Sequence, residues 1–370
     1  MSKPKNTYTA IGLMSGTSLD GLDVALCTFT KSNKGWDYTI MDAKTFPYNK
    51  TIKSVLKDAQ LLDAEGFWQL HLTFGMFSAQ SVNQFLKDKK HKIDVIASHG
   101  HTIFHQPQYG ITCQTGSGAC IAALTNITTA CDFRSTDVAL GGQGAPLVPI
   151  GDELLFSKYD ACLNIGGIAN ISFKYNNERL AFDVCPANMV FNFYAAQAGK
   201  AFDKGGKLAA SGKVNHNVLK KLNALSFYKK FTNKSLGREW VEEKVISVLD
   251  SPIEGGSQGW GDVLSLADKL ATVAEHSAFQ VARVLNNSKP KNVLITGGGA
   301  YNTHFINRIK HYTKCQLIIP DDKTIQFKEA LIFAFLGVLR LRQETNVLKT
   351  VTGAIRNSCS GALYLGIASR

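Results

Sequence analysis

None of the eight cysteines, at 27, 113, 120, 131, 162, 185, 315 and 359, forms a Cys-x-x-Cys pair or a zinc-finger spacing, which argues against the common zinc modules. Several lie inside apolar runs, as small buried hydrophobes do, so a reducing compartment is expected. Long hydrophobic runs are missing too. The longest, Ala330–Leu339, falls far below the ~20 residues of a membrane helix. No apolar signal core follows Met1-Ser2-Lys3-Pro4-Lys5. Cytoplasm is the expected location, with no membrane partner. The Walker A pattern Gly-x-x-x-x-Gly-Lys-Ser/Thr is absent, as is the protein-kinase motif set. Nor is any basic segment interleaved with aromatic residues. The formal net charge of +12 therefore reads as scattered solvated lysines, and no nucleic-acid partner is expected.

What is present suffices for two cores. The chain has 370 residues, 45% of them hydrophobic, and domains run to roughly 100–200 residues each. Ala10-Ile11-Gly12-Leu13-Met14 and Val24-Ala25-Leu26-Cys27 read as strands joined by a polar glycine turn. Helical patterning follows over Thr51–Leu61 and Phe67–Lys87, then short strands over Asp94–Ser98 and Asn126–Asp132. At Asp160 the opening module returns: Asp160–Ile165 as strand, Gly166–Asn170 as turn, Ile171–Tyr175 as strand. A module recurring at this separation predicts a duplicated α/β fold and not a solenoid. Helices over Asp262–Leu285 and Lys328–Leu341 flank a strand at Asn292–Thr296. Two lobes are expected, 1–158 and 159–344, with residues from about 345 to 370 packing back on the first. A ligand is expected in the cleft between them.

Several segments can carry chemistry, and each has a plain alternative. The turn from Gly12 to Asp23 offers backbone N–H groups and the hydroxyls of Ser15, Thr17 and Ser18, a nest suited to polyphosphate; Asp20 or Asp23 can hold magnesium through water. An ordinary hairpin turn uses the same residue types. Gly166–Asn170 is its counterpart, with the same two readings. Gly297-Gly298-Gly299 lets a flat base or ribose approach the backbone, or merely supplies a strand-to-helix turn with positive φ. Asp183, at the end of an apolar strand, is a candidate general base or a turn cap. His99, His101 and His105 have no third metal ligand at local spacing, which favours hydrogen-bonding roles over zinc. Arg134 can fork onto a carboxylate or phosphate, or form a surface ion pair. Glu329 opens a helix and can simply oppose its dipole.

Read together, the segments resemble the anhydro-N-acetylmuramic acid kinase family. The matching blocks, in family order, are Gly12–Asp23, Ser98-His99-Gly100, Asp132-Phe133-Arg134, Gly141–Pro149, Asn164–Ile171, Phe202–Gly206, Lys234–Glu239, Gly297–Asn302 and Lys328-Glu329-Ala330. The resemblance implies the duplicated actin/hexokinase-like (ribonuclease H-like) fold, two-lobed, with ATP in the interlobe cleft. It implies a kinase of peptidoglycan recycling that opens 1,6-anhydro-N-acetylmuramic acid hydrolytically and phosphorylates O6, giving N-acetylmuramic acid 6-phosphate. Asp183 falls on the family's catalytic carboxylate. Gly16, Thr17, Ser18, Asp20, Gly21, Asp23, Gly166, Gly167 and Asn170 would hold the ATP phosphates, with Mg2+ at Asp20. Gly297, Gly298, Gly299 and Asn302 would take the adenosine. His99, Arg134, Asp137 and Glu329 would line the pocket of a small-molecule amino sugar. A homodimer is left open. The sequence departs from the family at Cys185 and Ala187, where glycines are common, at Asn192, where an acid is common, and at His101, where Gln is common. These departures leave the exact sugar open. The alternatives are a same-fold kinase for a different sugar or acid, and a nucleotide-binding regulatory homologue.

Overall fold

The structure, a computed structural model, describes residues 5–16, 19–232, 234–252 and 263–366. The chain divides into two compact units, residues 1–157 with 327–370, and residues 158–326. The second boundary falls inside the helix Asp322–Leu341, whereas the sequence reading set it at 344. That helix starts earlier than its apolar run because Asp322, Lys323 and Thr324 supply a polar first turn.

In the first unit, β1 (Thr7–Ser15), β2 (Gly21–Ser32) and β3 (Gly35–Pro47) run antiparallel. On the other side of β1, β4 (Val95–Ser98) pairs parallel. β5 (His101–Gln106) and β6 (Ile111–Thr115) form a separate hairpin, and β7 (Thr129–Cys131) pairs parallel to β4. The centre of the sheet is apolar on both faces because both are covered. On one face, Leu70, Phe74, Val82 and Phe85 of the helix Ala64–Leu86 join Ile11, Leu13, Val24 and Ile96 in a buried cluster. The helix Asp322–Leu341 covers the other so closely that a Cβ at Gly12 would lie 1.7 Å from the Ala330 carbonyl oxygen. Gly12 is therefore required by helix–sheet packing.

The second unit repeats the plan. β8 (Ala161–Ile165), β9 (Ile168–Tyr175) and β10 (Glu178–Pro186) are antiparallel. β11 (Asn292–Thr296) and β12 (Gln316–Ile318) extend the sheet in parallel from β8. The helix Leu266–Ser288 is capped by Ser265 and buried along most of its length. Its expected start at Asp262 lies outside the described residues. A last strand, β13 (Ala362–Tyr364), pairs with β7 in the first unit's sheet. The order β10-β9-β8-β11-β12 matches β3-β2-β1-β4-β7, antiparallel and parallel pairs falling in the same places. This is an α/β, duplicated ribonuclease H-like fold of the actin and hexokinase kind.

Candidate active site

In the first unit the β1–β2 turn carries the leading candidate segment. Leu19 adopts φ 58° and donates its N–H to the Gly16 carbonyl, which closes the turn. Thr17 and Ser18 lie outside the described residues. Gly21 has a packing reason to be glycine: a Cβ there would lie 2.5 Å from the Phe46 carbonyl oxygen. Asp20 is exposed and Asp23 is half-buried. Burial pushes the Asp23 carboxyl above its ordinary range; the hydrogen bond from Thr45 pulls it down and the charge of Asp20 pushes it up. Beneath the turn, Ser15 Oγ lies 2.7 Å from His101 Nδ1 and accepts from Tyr48 OH at 2.6 Å. His101 thus supports the segment as a buried hydrogen-bonding group.

The sugar-pocket candidates gather in the same unit. His99 donates from Nδ1 to the Gly100 carbonyl at 2.9 Å. That leaves Nε2 as an acceptor for Arg134, whose Nη2 lies 2.8 Å and Nε 3.3 Å away. Burial and then the Arg134 charge hold His99 well below the ordinary imidazole range, so it is neutral. Arg134 Nη1 donates to the Gly144 carbonyl at 2.7 Å. Burial lowers Arg134 to about 10, against the opposing pull of Glu329. Burial also raises the Glu329 carboxyl; Lys328 and Arg134 lower it and Asp23 raises it. Asp137 behaves differently from the other members of this group. It is 0% exposed, and its two carboxylate oxygens accept from the Gly144 N–H and the Thr352 hydroxyl. Its carboxylate is spent inside the protein.

In the second unit, Gly166 and Gly167 join β8 to β9. Their carbonyls accept from the N–H groups of Ala187, Asn188 and Met189 at the start of the helix Asn188–Gln197. No hydrogen bond among the described residues uses the N–H of Gly166 or Gly167. A Cβ at either would meet nothing nearer than 3.6 Å. Unlike Gly12 and Gly21, these glycines are not demanded by the protein's own packing.

Asp183 stands on β10 directly opposite Asn170 on β9, beside a bulge between Asp183 and Cys185. Its N–H donates to the Lys234 carbonyl at 3.1 Å. Its Oδ2 accepts from the Leu236 N–H at 2.9 Å and the Ser235 hydroxyl at 3.2 Å. Oδ1 has no hydrogen bond among the described residues. Burial raises the Asp183 carboxyl, while Leu236, Ser235 and the Lys234 charge lower it. Lys234 sits over the rings of Phe227, Tyr228 and Phe182, at 4.4, 5.5 and 6.0 Å from their centroids, and burial lowers it to about 8. The atypical Cys185 and Ala187 are both 0% exposed and belong to the unit's core. Cys185 Sγ faces the Ser277 carbonyl at 3.6 Å, and burial pushes the thiol up to about 12.

Close to the same turn, a cavity of about 690 Å³ is walled by Phe202, Lys204, Gly205, Asn192, Gly298, Tyr301 and Asn302. Of the glycines at 297–299, Gly298 alone lines it. Gly297 takes φ 80°, and a Cβ at Gly299 would lie 2.0 Å from Ile165 Cγ2. Asn302 lines the cavity, but its side chain caps the helix Thr303–Tyr312 through the Phe305 N–H. The sequence reading assigned no role to Phe202, Lys204 or Tyr301. The signal in the sequence was an aromatic close to the glycine pair Gly205-Gly206; the structure leaves that ring 57% exposed. Asp203 also lines the cavity, with its carboxylate accepting from the Leu208 and Ala209 N–H groups. Among the described residues no three His, Cys, Asp or Glu side chains gather as a metal cluster.

In each unit the turn between the two innermost antiparallel strands, β1–β2 and β8–β9, carries candidate groups, the arrangement of a nucleotide-using α/β protein. The chain belongs to the anhydro-N-acetylmuramic acid kinase family, whose description it matches over residues 8–366. Relatives of that name include the protein of Photobacterium profundum, 34% identical over 96% of this chain and 98% of its own. That of Sulfurimonas denitrificans is 31% identical over the same shares. That of Francisella tularensis subsp. novicida is 34% identical over 93% and 95%. Among solved structures, the activator of 2-hydroxyisocaproyl-CoA dehydratase from Clostridium difficile with bound ADPNP aligns over 90% of this chain and 96% of its own. Its TM-score is 0.42 at 14% identity, which adds nothing to what the strand order already gives.

Proposed function

We propose that this chain is an ATP-dependent kinase that opens 1,6-anhydro-N-acetylmuramic acid hydrolytically and phosphorylates O6, yielding N-acetylmuramic acid 6-phosphate and ADP. The observation that carries the reading, within this family, is Asp183. One carboxylate oxygen is held by two donors and the other is uncommitted, as a general base requires. Its Oδ1 takes a proton from water as the water oxygen bonds to C1, in the manner of an inverting glycosidase base. The C1–O6 bond breaks, and O6 takes the γ-phosphoryl group while ADP leaves. Phosphoryl transfer depends chiefly on positioning and charge neutralisation. The unused N–H groups of Gly166 and Gly167 serve the phosphates, with the β1–β2 turn, including Thr17 and Ser18, as their counterpart. The cavity beside Gly298 takes adenosine, with Phe202 as a stacking wall.

Asp20 and Asp23 fit a role in holding Mg2+. The charge of Asp20 works against ionisation of Asp23, a repulsion that a divalent cation offsets. Mg2+ in such sites is held by one or two carboxylates together with substrate phosphates, and when bound it neutralises developing phosphate charge. Arg134 and His99 hold the sugar, Arg134 as partner of its lactyl carboxylate. Cys185 and Ala187 are buried in the unit's core, and neither takes up the free oxygen of Asp183 by a hydrogen bond among the described residues. Among the described residues no helix is long and apolar enough to cross a membrane, and a cytoplasmic location suits an ATP-using enzyme. Mass spectrometry of the products formed from the anhydro-sugar, ATP, Mg2+ and ¹⁸O-water tests the reaction. Label at C1 with phosphate at O6 is expected; unlabelled product, or phosphate elsewhere, overturns it.

A further inference from the structure

Arg134 is a partly buried guanidinium whose described hydrogen bonds all go to neutral acceptors. Guanidinium carries five N–H donors. Three are used: Nε and one on Nη2 toward His99 Nε2, and one on Nη1 toward the Gly144 carbonyl. One N–H remains on each terminal nitrogen, and a guanidinium with donors left on both can bind a carboxylate through two bonds. Such recognition depends on the plane of the guanidinium, and that plane is fixed at two points. His99 is held by its own bond to Gly100. Gly144 is held from a segment more than two hundred residues further along the chain.

The loop at 140–144 is stapled to the C-terminal segment. The Thr352 hydroxyl donates to Asp137 Oδ1 at 2.8 Å, and Asp137 Oδ2 accepts from the Gly144 N–H at 2.7 Å. The Gln143 N–H donates to the Thr352 carbonyl at 2.8 Å, and the Ile355 N–H to the Leu140 carbonyl at 3.1 Å. Asp137 and Thr352 are 0% and 1% exposed. A Cβ at Gly142 would lie 2.2 Å from Asp137 Oδ2, so the loop wraps the carboxylate with no slack.

We propose that Asp137 and Thr352 are positioning residues for carboxylate specificity: they fix the Gly144 peptide, and through its carbonyl the orientation of Arg134, for a sugar that bears a carboxylate. Asp137 then acts on the substrate through Arg134 without touching it. The inference rests on the proposed function, because it takes the carboxylate-bearing sugar from there.

The test is calorimetric binding, which does not depend on turnover, of two sugars: 1,6-anhydro-N-acetylmuramic acid and 1,6-anhydro-N-acetylglucosamine, which lacks the lactyl carboxylate. The wild type is expected to bind the first about tenfold or more tightly, the scale of hydrogen bonds to a charged group. Thr352→Val keeps the side-chain shape and removes the hydroxyl. It is expected to weaken the first sugar by about 3- to 30-fold, the range for residues acting through others, and to leave the second within about twofold. Thr352→Ser is expected to restore the preference. Thr352→Cys, a weak donor of similar size, replaces Thr352→Val if the valine variant does not fold. Equal weakening of both sugars, no weakening of either, or a wild type that binds both alike overturns the inference. A wild type that shows the preference but transfers no phosphate overturns the proposed function and leaves this inference standing.

Discussion

Alanine at Gly167 is expected to damage ATP use without damaging the fold. The turn residue is exposed, and a Cβ there would sit 3.6 Å from Met189 Cβ, an ordinary contact, with no positive φ to forbid it. Gly→Ala at a compatible site stabilises by about 0.4–1 kcal/mol through the unfolded chain. The melting temperature should therefore hold or rise slightly. The methyl group, however, stands beside an N–H that no described protein group uses. If that N–H serves a phosphate, losing its bond costs about 1.5–3 kcal/mol, which is about 10- to 150-fold in affinity. Gly299→Ala is the control with the opposite signature: its Cβ would fall 2.0 Å from Ile165 Cγ2, and overpacking of that kind costs about 1–3 kcal/mol of stability. Thermal melts of both variants, with KM for ATP at saturating sugar, separate the cases. A Gly167→Ala enzyme with unchanged KM for ATP would refute the assignment of this turn to phosphate, whatever its stability.

Two other perturbations have definite signs. Asp183→Asn should lower kcat by at least ~10²-fold, the usual contribution of a positioned base, and should raise the melting temperature at neutral pH. The folded-state carboxyl lies above its unfolded value of 3.8 because burial outweighs its hydrogen bonds. The folded protein thus holds the proton more tightly, and that contribution, complete below 3.8, is lost as pH rises through the raised pKa. The wild-type acid limb of kcat should accordingly lie above the range of an ordinary aspartate; an Asn variant with turnover within about threefold of wild type would remove the base. Phe202→Ala should raise KM for ATP by about 5- to 150-fold if the ring stacks on the base, worth about 1–3 kcal/mol, with little change in melting temperature because the side chain is 57% exposed; unchanged KM would move the adenosine elsewhere.

The duplicated plan was legible because its signals are local. Ala10–Cys27 and Asp160–Tyr175 each place glycine and polar turn residues between apolar runs, and both became hairpins at the centre of a sheet. β3 was not read. Its burial along Gly35–Pro47 is mixed, as suits an edge strand, so no clean alternation marks it. The hairpin of β5 and β6 was not read either: its polar residues Thr102, Thr112 and Gln114 bond one another, so no apolar alternation marks the strands. Residue types alone could not sort the glycines. Gly12 and Gly299 serve close packing, whereas Gly167 and Gly298 do not, and only the three-dimensional neighbours distinguish them. Asp137 is the clearest case: the family resemblance put it in the sugar pocket, and its partner Thr352 lies too far along the chain for spacing to reveal.

Cys185 carries a consequence of another kind. Its thiol is fully buried on the strand that bears Asp183, and burial holds it up to about 12, so it is inert to thiol reagents while the strand is closed. It reacts only when this part of the second unit opens, and the rate of its modification measures the free energy of that opening. A nucleotide or sugar that tightens the strand slows the reaction. One of the residues in which this sequence departs from its family thereby gives it an internal clock, reading the breathing of the strand that bears Asp183.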